Sequence, residues 1–178
     1  PVPHDDLPTY ARLRDLLATD IQGGENFGSA AVAAQAFAAG ALDRVMPDVQ
    51  RLGVTGWLAV ADHAASAGIP VSTHMFPEFS AHLLPLAATS DWLEFMDLAA
   101  AIRREPLVIA EGATSAPDRP GAGIEWDDDA QVQAPMLLRR SPAGVPAGSA
   151  TGPLQGPESS SITYLGWCGL RSRQFDAA

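Results

Sequence analysis

The sequence lacks lysine altogether: all 11 of its basic residues are arginine. Its single cysteine, Cys168, excludes both a disulfide within the chain and a zinc site built from cysteines. No apolar run approaches the roughly 18 residues of a membrane span, and no basic-then-apolar signal peptide opens the chain. These absences predict a cytoplasmic protein without a membrane partner.

Positive charge is also scarce. The net charge is −10, which argues against a nucleic-acid partner because phosphate binding needs a clustered positive surface. The charge is uneven: residues 1–130 carry 19 acids and 7 arginines, whereas residues 131–178 carry 2 acids and 4 arginines. The length of 178 residues allows one domain, or one domain and a tail, and 47% hydrophobic residues suffice for a core.

Helical and strand-like patterns alternate over residues 1–104. Apolar spacing and capping residues predict helices over 5–18, 29–39, 55–67 and 80–88, the last interrupted at Pro85. Between them, the runs 20–26, 43–47, 70–73 and 90–95 are typical of strands. Because parallel strands need helical crossovers, this order predicts an α/β fold that is half of an eight-stranded barrel or a small open parallel sheet.

The remainder of the chain has no sustained period. Prolines and glycines make residues 105–130 an irregular return segment, in which a hairpin is one option. Residues 131–178 contain five prolines, six glycines and scattered serines, so we predict a disordered tail.

Acidic residues and one histidine stand where the predicted strands end. Glu25, Asp48, His74 and Glu94 are 23, 26 and 20 residues apart, which fits one strand and one helix between each pair. Parallel α/β folds keep their chemistry at the carboxyl ends of the strands. An aspartate there can orient a neighbouring imidazole and raise its basicity, so Asp48 and His74 are a candidate catalytic pair.

Each of these residues also has a plain structural interpretation. His74 could be a satisfied histidine at a strand end, and Asp48 could cap a helix or stabilise a turn. Glu25 follows two glycines and could be a turn acid. Glu94 has aspartates nearby on both sides, so the strand register could shift by a residue.

An ordered set of short motifs goes further than the spacing. The motifs are Gly24-Glu25-Asn26, Met46-Pro47-Asp48, Gly53-Val54-Thr55-Gly56-Trp57, Gly68-Ile69-Pro70, Ser72-Thr73-His74, Ser80-Ala81-His82-Leu83-Leu84 and Trp92-Leu93-Glu94. In this order, over residues 1–130, the chain resembles the mandelate racemase subgroup of the enolase superfamily. Each motif alone is weak, but the set is specific.

The resemblance implies a fold and a chemistry. The family fold is a modified eight-stranded barrel, of which this chain would supply the last four strand–helix units. Glu25 matches the third of three carboxylate ligands to a catalytic Mg²⁺, and Asp48 and His74 match an Asp–His dyad with His74 as general base. Glu94 matches the acid that hydrogen-bonds the substrate carboxylate. The implied substrate is a small carboxylate, such as a 2-hydroxy acid or a sugar acid.

The chain departs from the family in two ways. The Lys-x-Lys motif that supplies the opposing base is absent, and the first two metal ligands would precede Pro1. Because the chain opens on Pro1 rather than methionine, we expect a fragment that is inactive alone. The enzyme hypothesis is a racemase or an acid-sugar dehydratase, and the missing lysine slightly favours the dehydratase. The alternative is a non-catalytic half-barrel that acts as a structural unit or associates into homo-oligomers through exposed strand edges.

Overall fold

The structure is a computed structural model that describes residues 2–130 and the backbone of residues 131–133 and 169–171. The predicted tail over 131–178 therefore lies almost entirely outside the described residues. Five helices are described: α1 Leu7–Leu16, α2 Ala30–Ala38, α3 Val49–Ala67, α4 Pro77–Leu83 and α5 Asp128–Gln133. Four short strands are described: β1 Gln22–Gly23, β2 Arg44–Val45, β3 Trp92–Glu94 and β4 Gly169–Arg171. Two 3-10 turns span Leu84–Leu86 and Ala100–Ile102.

Capping residues fix the helix ends. Asp6 accepts a hydrogen bond from the Thr9 N–H at the start of α1, and Ser29 does the same for Val32 at the start of α2. The predicted interruption at Pro85 is confirmed, because α4 gives way there to a 3-10 turn. Local side chain–backbone bonds thus explain why these helices begin where the sequence predicts.

Helix α3 begins earlier than predicted, at Val49 rather than at Thr55. Gly53 has a φ of 64° and a ψ of 173°, so a kink separates a first turn from the long body of the helix. A glycine at this position is typical of a loop, which is why the sequence pattern predicts the helix only from Thr55 onward. This earlier start places Asp48, one residue of the predicted Asp48–His74 pair, at the N-terminus of α3.

The predicted parallel arrangement is present, although the strands are short. β1 pairs in parallel with β2, at Gln22 with Arg44 and Gly23 with Val45. The predicted strand 70–73 appears as single parallel bridges, which join Val71 to Val45 on one side and to Ser90 on the other. β4 lies antiparallel to β3. The segments that lead to Glu25, Asp48, His74 and Glu94 therefore lie side by side in chain order.

The core fills the space between these segments and the helices. Val45, Val71 and Leu93 from the sheet join the fully buried Trp57 and Val60 of α3. The Trp57 indole Nε1 donates to the Pro47 carbonyl at 3.1 Å, which anchors α3 directly beneath the end of the second strand. Within residues 2–133, no helix is both long and apolar enough to cross a bilayer.

A charge network lies at the amino ends of the strands. The Arg44 guanidinium reaches Asp20, which precedes β1, and Asp91, which precedes β3. Asp43 accepts from the Ile21 N–H at 2.8 Å and pairs with Arg14 of α1. Partial desolvation raises the pKa of Asp43, but the Ile21 hydrogen bond and the Arg14 charge outweigh it, so the net pKa is lowered.

We predict that Asp43→Asn destabilises the protein by about 1 kcal/mol at pH 7, since it loses the ion pair and weakens the bond to Ile21. A carboxylate whose folded-state pKa is lowered stabilises the protein above its unfolded value of 3.8, and this contribution is lost as pH falls through the folded-state pKa. The difference between variant and wild type, measured by urea unfolding, should therefore shrink below pH 3.8. Asp20→Asn is the matched control, and an equal effect there would contradict the assignment.

Candidate active site at the carboxyl ends of the strands

The predicted pair is formed. The His74 Nδ1 lies 2.7 Å from the Asp48 Oδ2, and a parallel bridge aligns the two residues. The Asp48 carboxylate is buried, and its other oxygen, Oδ1, accepts from the N–H groups of Gln50 and Arg51 at 2.6 and 3.1 Å. Asp48 therefore both caps α3 and contacts His74, with one carboxylate oxygen for each partner.

This arrangement selects a tautomer of His74. Since an ionised carboxylate only accepts hydrogen bonds, Nδ1 carries the ring proton and donates it to Asp48. The second ring nitrogen, Nε2, then presents its lone pair away from Asp48. It faces the Glu25 Oε2 at 3.6 Å, which is too far for a hydrogen bond but close enough to put both groups in one site.

Glu25 reaches the site through a glycine. Gly24 has a φ of 120°, and a Cβ there would lie 2.8 Å from the Val45 Cγ2. Only glycine allows β1 to pass this close to β2 and then turn, which brings the next residue to the site. The Glu25 side chain is 48% exposed, and its Oε1 accepts from the Asn26 Nδ2 at 3.2 Å. The Glu25 carboxylate is therefore fixed only weakly, because it is half exposed and has a single long hydrogen bond from Asn26.

Glu94 is tied to the same loop as His74. Its Oε2 accepts from the Met75 N–H at 2.7 Å, and its own N–H donates to the Thr73 Oγ1 at 3.0 Å. The residue after His74 in the chain thus binds the carboxylate of the neighbouring strand. The predicted strand register at Glu94 agrees with this geometry, since neither neighbouring aspartate occupies the position.

The sequence did not predict the groups that hold Glu94. Met75 and Phe76 both have positive φ, 51° and 44°, an uncommon conformation for residues with a Cβ. Such residues cost about 1–3 kcal/mol each and occur mainly where the surroundings enforce them, often at functional sites. A threonine next to His74 was visible in the sequence, but nothing there indicated left-handed conformations at a methionine and a phenylalanine.

A cavity opens beside Glu25. Its volume is about 140 Å³. Its lining combines apolar side chains with polar groups, which include His4, Tyr10, Gln22 and Asn26. His4 also lines this cavity, and no sequence pattern predicts its position there. Of the four predicted residues, Glu25 is the one that lines this small, mixed cavity.

The described residues supply few ligands for a metal. Among residues 2–133, no group of three histidine, cysteine, aspartate or glutamate side chains is placed to hold an ion. Carboxylate oxygen suits Mg²⁺, and the exposed Glu25 could offer it, but Mg²⁺ binding sites normally combine several oxygen ligands. The described part of the chain does not make a magnesium site by itself.

Comparison with known proteins identifies the family. The family described as "Enolase C-terminal domain-like" matches residues 1–130. An L-talarate/galactarate dehydratase of Salmonella typhimurium is 29% identical over 127 residues, 71% of this chain and 32% of its own length. A 3,6-anhydro-alpha-L-galactonate cycloisomerase of Streptomyces coelicolor is 31% identical over 125 residues, 69% of this chain and 35% of its own.

Solved structures agree. A magnesium-bound enolase from the alpha proteobacterium BAL199 is 42% identical, with a TM-score of 0.72 over 75% of this chain and 37% of its own. A Bradyrhizobium enolase with magnesium and mandelic acid is also 42% identical, with a TM-score of 0.70 over 74% and 37% of the two chains. An L-talarate dehydratase from Polaromonas with Mg and L-glucarate is 28% identical, with a TM-score of 0.67 over 74% and 37%.

The chain belongs to the enolase superfamily and to its mandelate racemase subgroup. Its α/β fold is that of the enolase C-terminal domain and matches part of a TIM-like barrel enzyme. It spans 32% and 35% of the lengths of the two curated relatives. Magnesium occurs in the related structures, as the resemblance implied.

The double use of Asp48 gives a sharp prediction for Asp48→Asn. Gln50 and Arg51 both donate to the cap, so the asparagine amide oxygen must face them and its NH₂ must face His74. Asparagine caps helices as well as aspartate does, so stability should change by less than about 1 kcal/mol. The ring proton of His74, however, should move from Nδ1 to Nε2.

The tautomer is measurable by ¹⁵N NMR on protein labelled at its four histidines. Asp48→Ala is the matched variant, because it removes the cap and the histidine partner together and should destabilise α3 by about 1 kcal/mol. An unchanged His74 tautomer in Asp48→Asn would contradict the proposed hydrogen-bond direction.

Proposed function

We propose that this chain carries the histidine side of an active site that removes a proton alpha to a carboxylate, in a racemase or acid-sugar dehydratase. His74 is the general base, Asp48 orients it, Glu94 binds the substrate carboxylate, and Glu25 is one of the magnesium ligands. The observation that carries the proposal is the His74–Asp48 pair, in which the second carboxylate oxygen is fixed by two backbone N–H groups.

The proposed first step uses these atoms as follows. His74 Nε2 takes the α-proton, the C–H bond breaks, and its electron pair moves into the substrate carboxylate to give an aci-enolate. The imidazolium that forms is stabilised by the Asp48 carboxylate at 2.7 Å from Nδ1. Magnesium, when bound, supplies positive charge next to the substrate carboxylate.

Glu94 is suited to the developing negative charge. Its Oε2 is occupied by the Met75 N–H, and no hydrogen-bond partner for Oε1 occurs among residues 2–130. We assign Oε1 to the contact with a substrate carboxylate oxygen, where a hydrogen bond that strengthens as charge develops stabilises the aci-enolate more than the ground state.

The aci-enolate has two outcomes. A racemase needs a second base on the opposite face of the carbon, whereas a dehydratase can return the proton from the same histidine to a departing β-hydroxyl, which leaves as water. Acid-sugar dehydratases are among the relatives, namely an L-talarate/galactarate dehydratase and an L-talarate dehydratase with bound Mg and L-glucarate. We therefore favour dehydration of a sugar acid, with a 2-hydroxy acid such as mandelate as the other substrate class.

We further propose that the chain corresponds to the last four strand–helix units of the barrel. Its match covers 37% of the related magnesium-bound structure, and its strand ends provide one of the several carboxylates that magnesium needs. The remaining ligands would then come from sequence other than residues 2–133. A cytoplasmic location and self-association through exposed strand edges stay predictions of the sequence.

The base role of His74 is tested by His74→Asn. The gene product that contains this sequence should exchange the α-proton of glucarate, galactarate or mandelate with D₂O in the presence of Mg²⁺, as followed by ¹H NMR. Loss of the general base should slow exchange by about 10²–10⁴-fold. His63→Asn, a histidine on α3, is the matched control and should leave the rate unchanged.

Exchange at an unchanged rate in His74→Asn would refute the assignment of the base. The same assay on the 178-residue chain alone tests the partial-site proposal. We expect no exchange there, and full His74-dependent exchange by the isolated chain would overturn that part.

One observation favours a second candidate, a non-catalytic structural unit: no three-ligand set occurs within residues 2–133. Calorimetric titration of the gene product with Mg²⁺ separates the two candidates. If Glu25 is a metal ligand, Glu25→Gln should weaken Mg²⁺ binding by about tenfold or more, because an ionised oxygen ligand is replaced by a neutral amide. Binding that is unchanged in Glu25→Gln, or no weaker than in a Glu111→Gln control, would favour the structural unit.

A further inference from the structure

The left-handed turn after His74 is held by two buried hydroxyl groups. Ser80, in α4, is buried, and its Oγ donates to the Met75 carbonyl at 2.9 Å. Thr73 is also buried, and its Oγ1 accepts from the Glu94 N–H at 3.0 Å. The Ser80 hydroxyl therefore fixes the peptide group that follows Met75, and the Thr73 hydroxyl fixes the backbone of Glu94.

The Met75 N–H links the turn held by Ser80 to the Glu94 residue held by Thr73. It donates to the Glu94 Oε2 at 2.7 Å, one residue away from the His74 that pairs with Asp48. A turn with two consecutive positive φ angles at residues with a Cβ does not hold this shape from local preference. Tertiary contacts must therefore enforce it, and among the described residues two side chains contact the Met75 backbone: Glu94 accepts from its N–H, and Ser80 donates to its carbonyl.

We infer that Ser80 is a positioning residue, which holds the Met75–Phe76 turn so that the Met75 N–H fixes the Glu94 carboxylate relative to His74. The hydroxyl touches neither His74 nor Glu94, and its effect is transmitted through the Met75 backbone. The catalytic meaning of this inference rests on the proposed function, since only there are His74 and Glu94 the base and the carboxylate-binding acid.

Hydrogen exchange measures the contact without any turnover. The chain contains four methionines, so selective ¹⁵N-methionine labelling gives a spectrum of four backbone amides. The Met46 N–H donates to the Gly23 carbonyl at 2.9 Å within the sheet, and it is an internal reference for overall stability. The signals are assigned by replacing each methionine with leucine.

In Ser80→Ala we expect the Met75 amide to exchange about three- to tenfold faster than in wild type, beyond any change at Met46. Its ¹H resonance should also move upfield as the bond to Glu94 lengthens. Ser66→Ala is the matched control, because it removes a serine–carbonyl bond of 2.9 Å to Asp62 on the exposed face of α3. That variant should leave the Met75 amide unchanged.

Equal acceleration at Met75 and Met46 would show that Ser80 supports only global stability and would overturn the inference. An unchanged Met75 amide would overturn it as well. If Ser80→Ala does not fold, Ser80→Cys replaces it: the thiol is similar in size and a weaker donor, so a smaller shift in the same direction is expected. Absence of α-proton exchange by the gene product would refute the proposed function, while the Met75 result alone decides this inference.

Discussion

The Asp48 carboxylate is the group on which the site depends, because each of its oxygens has a separate partner. One oxygen closes the first turn of α3, and the other holds the Nδ1 proton of His74. The helix N-terminus thereby fixes the carboxylate, and the carboxylate fixes the imidazole. The Trp57 indole adds a second constraint, since it binds the carbonyl of the residue just before Asp48. Buried packing of α3 is thus transmitted to the orientation of the His74 imidazole.

Much of this could be predicted from the sequence. Ser29 and the glycine at position 68 are local signals, and they place the ends of α2 and α3 correctly. The residues at the strand ends were also predictable, because parallel strands joined by helices bring their carboxyl ends to one edge. The predicted start of α3 at Thr55 was wrong. Gly53 has a positive φ that kinks the helix, and a glycine at this position is typical of a loop.

The left-handed turn at Met75 and Phe76 could not be predicted for a different physical reason. Neither residue prefers positive φ, so no local preference indicates it. The turn exists because distant groups, Ser80 on the next helix and Glu94 on the next strand, bind the same Met75 backbone from its two sides. Such conformations follow from tertiary contacts, and a sequence shows them only after the partners are known.

The charge network around Arg44 lies at the opposite end of the sheet from His74, and this separation has an evolutionary consequence. Arg44 joins the segments before β1 and β3, so part of the strand register is secured without any residue of the site. Loops at the other end are then free to diverge at little cost in folding. Such freedom at the site end fits the variety of the relatives, which include a cycloisomerase and a dehydratase.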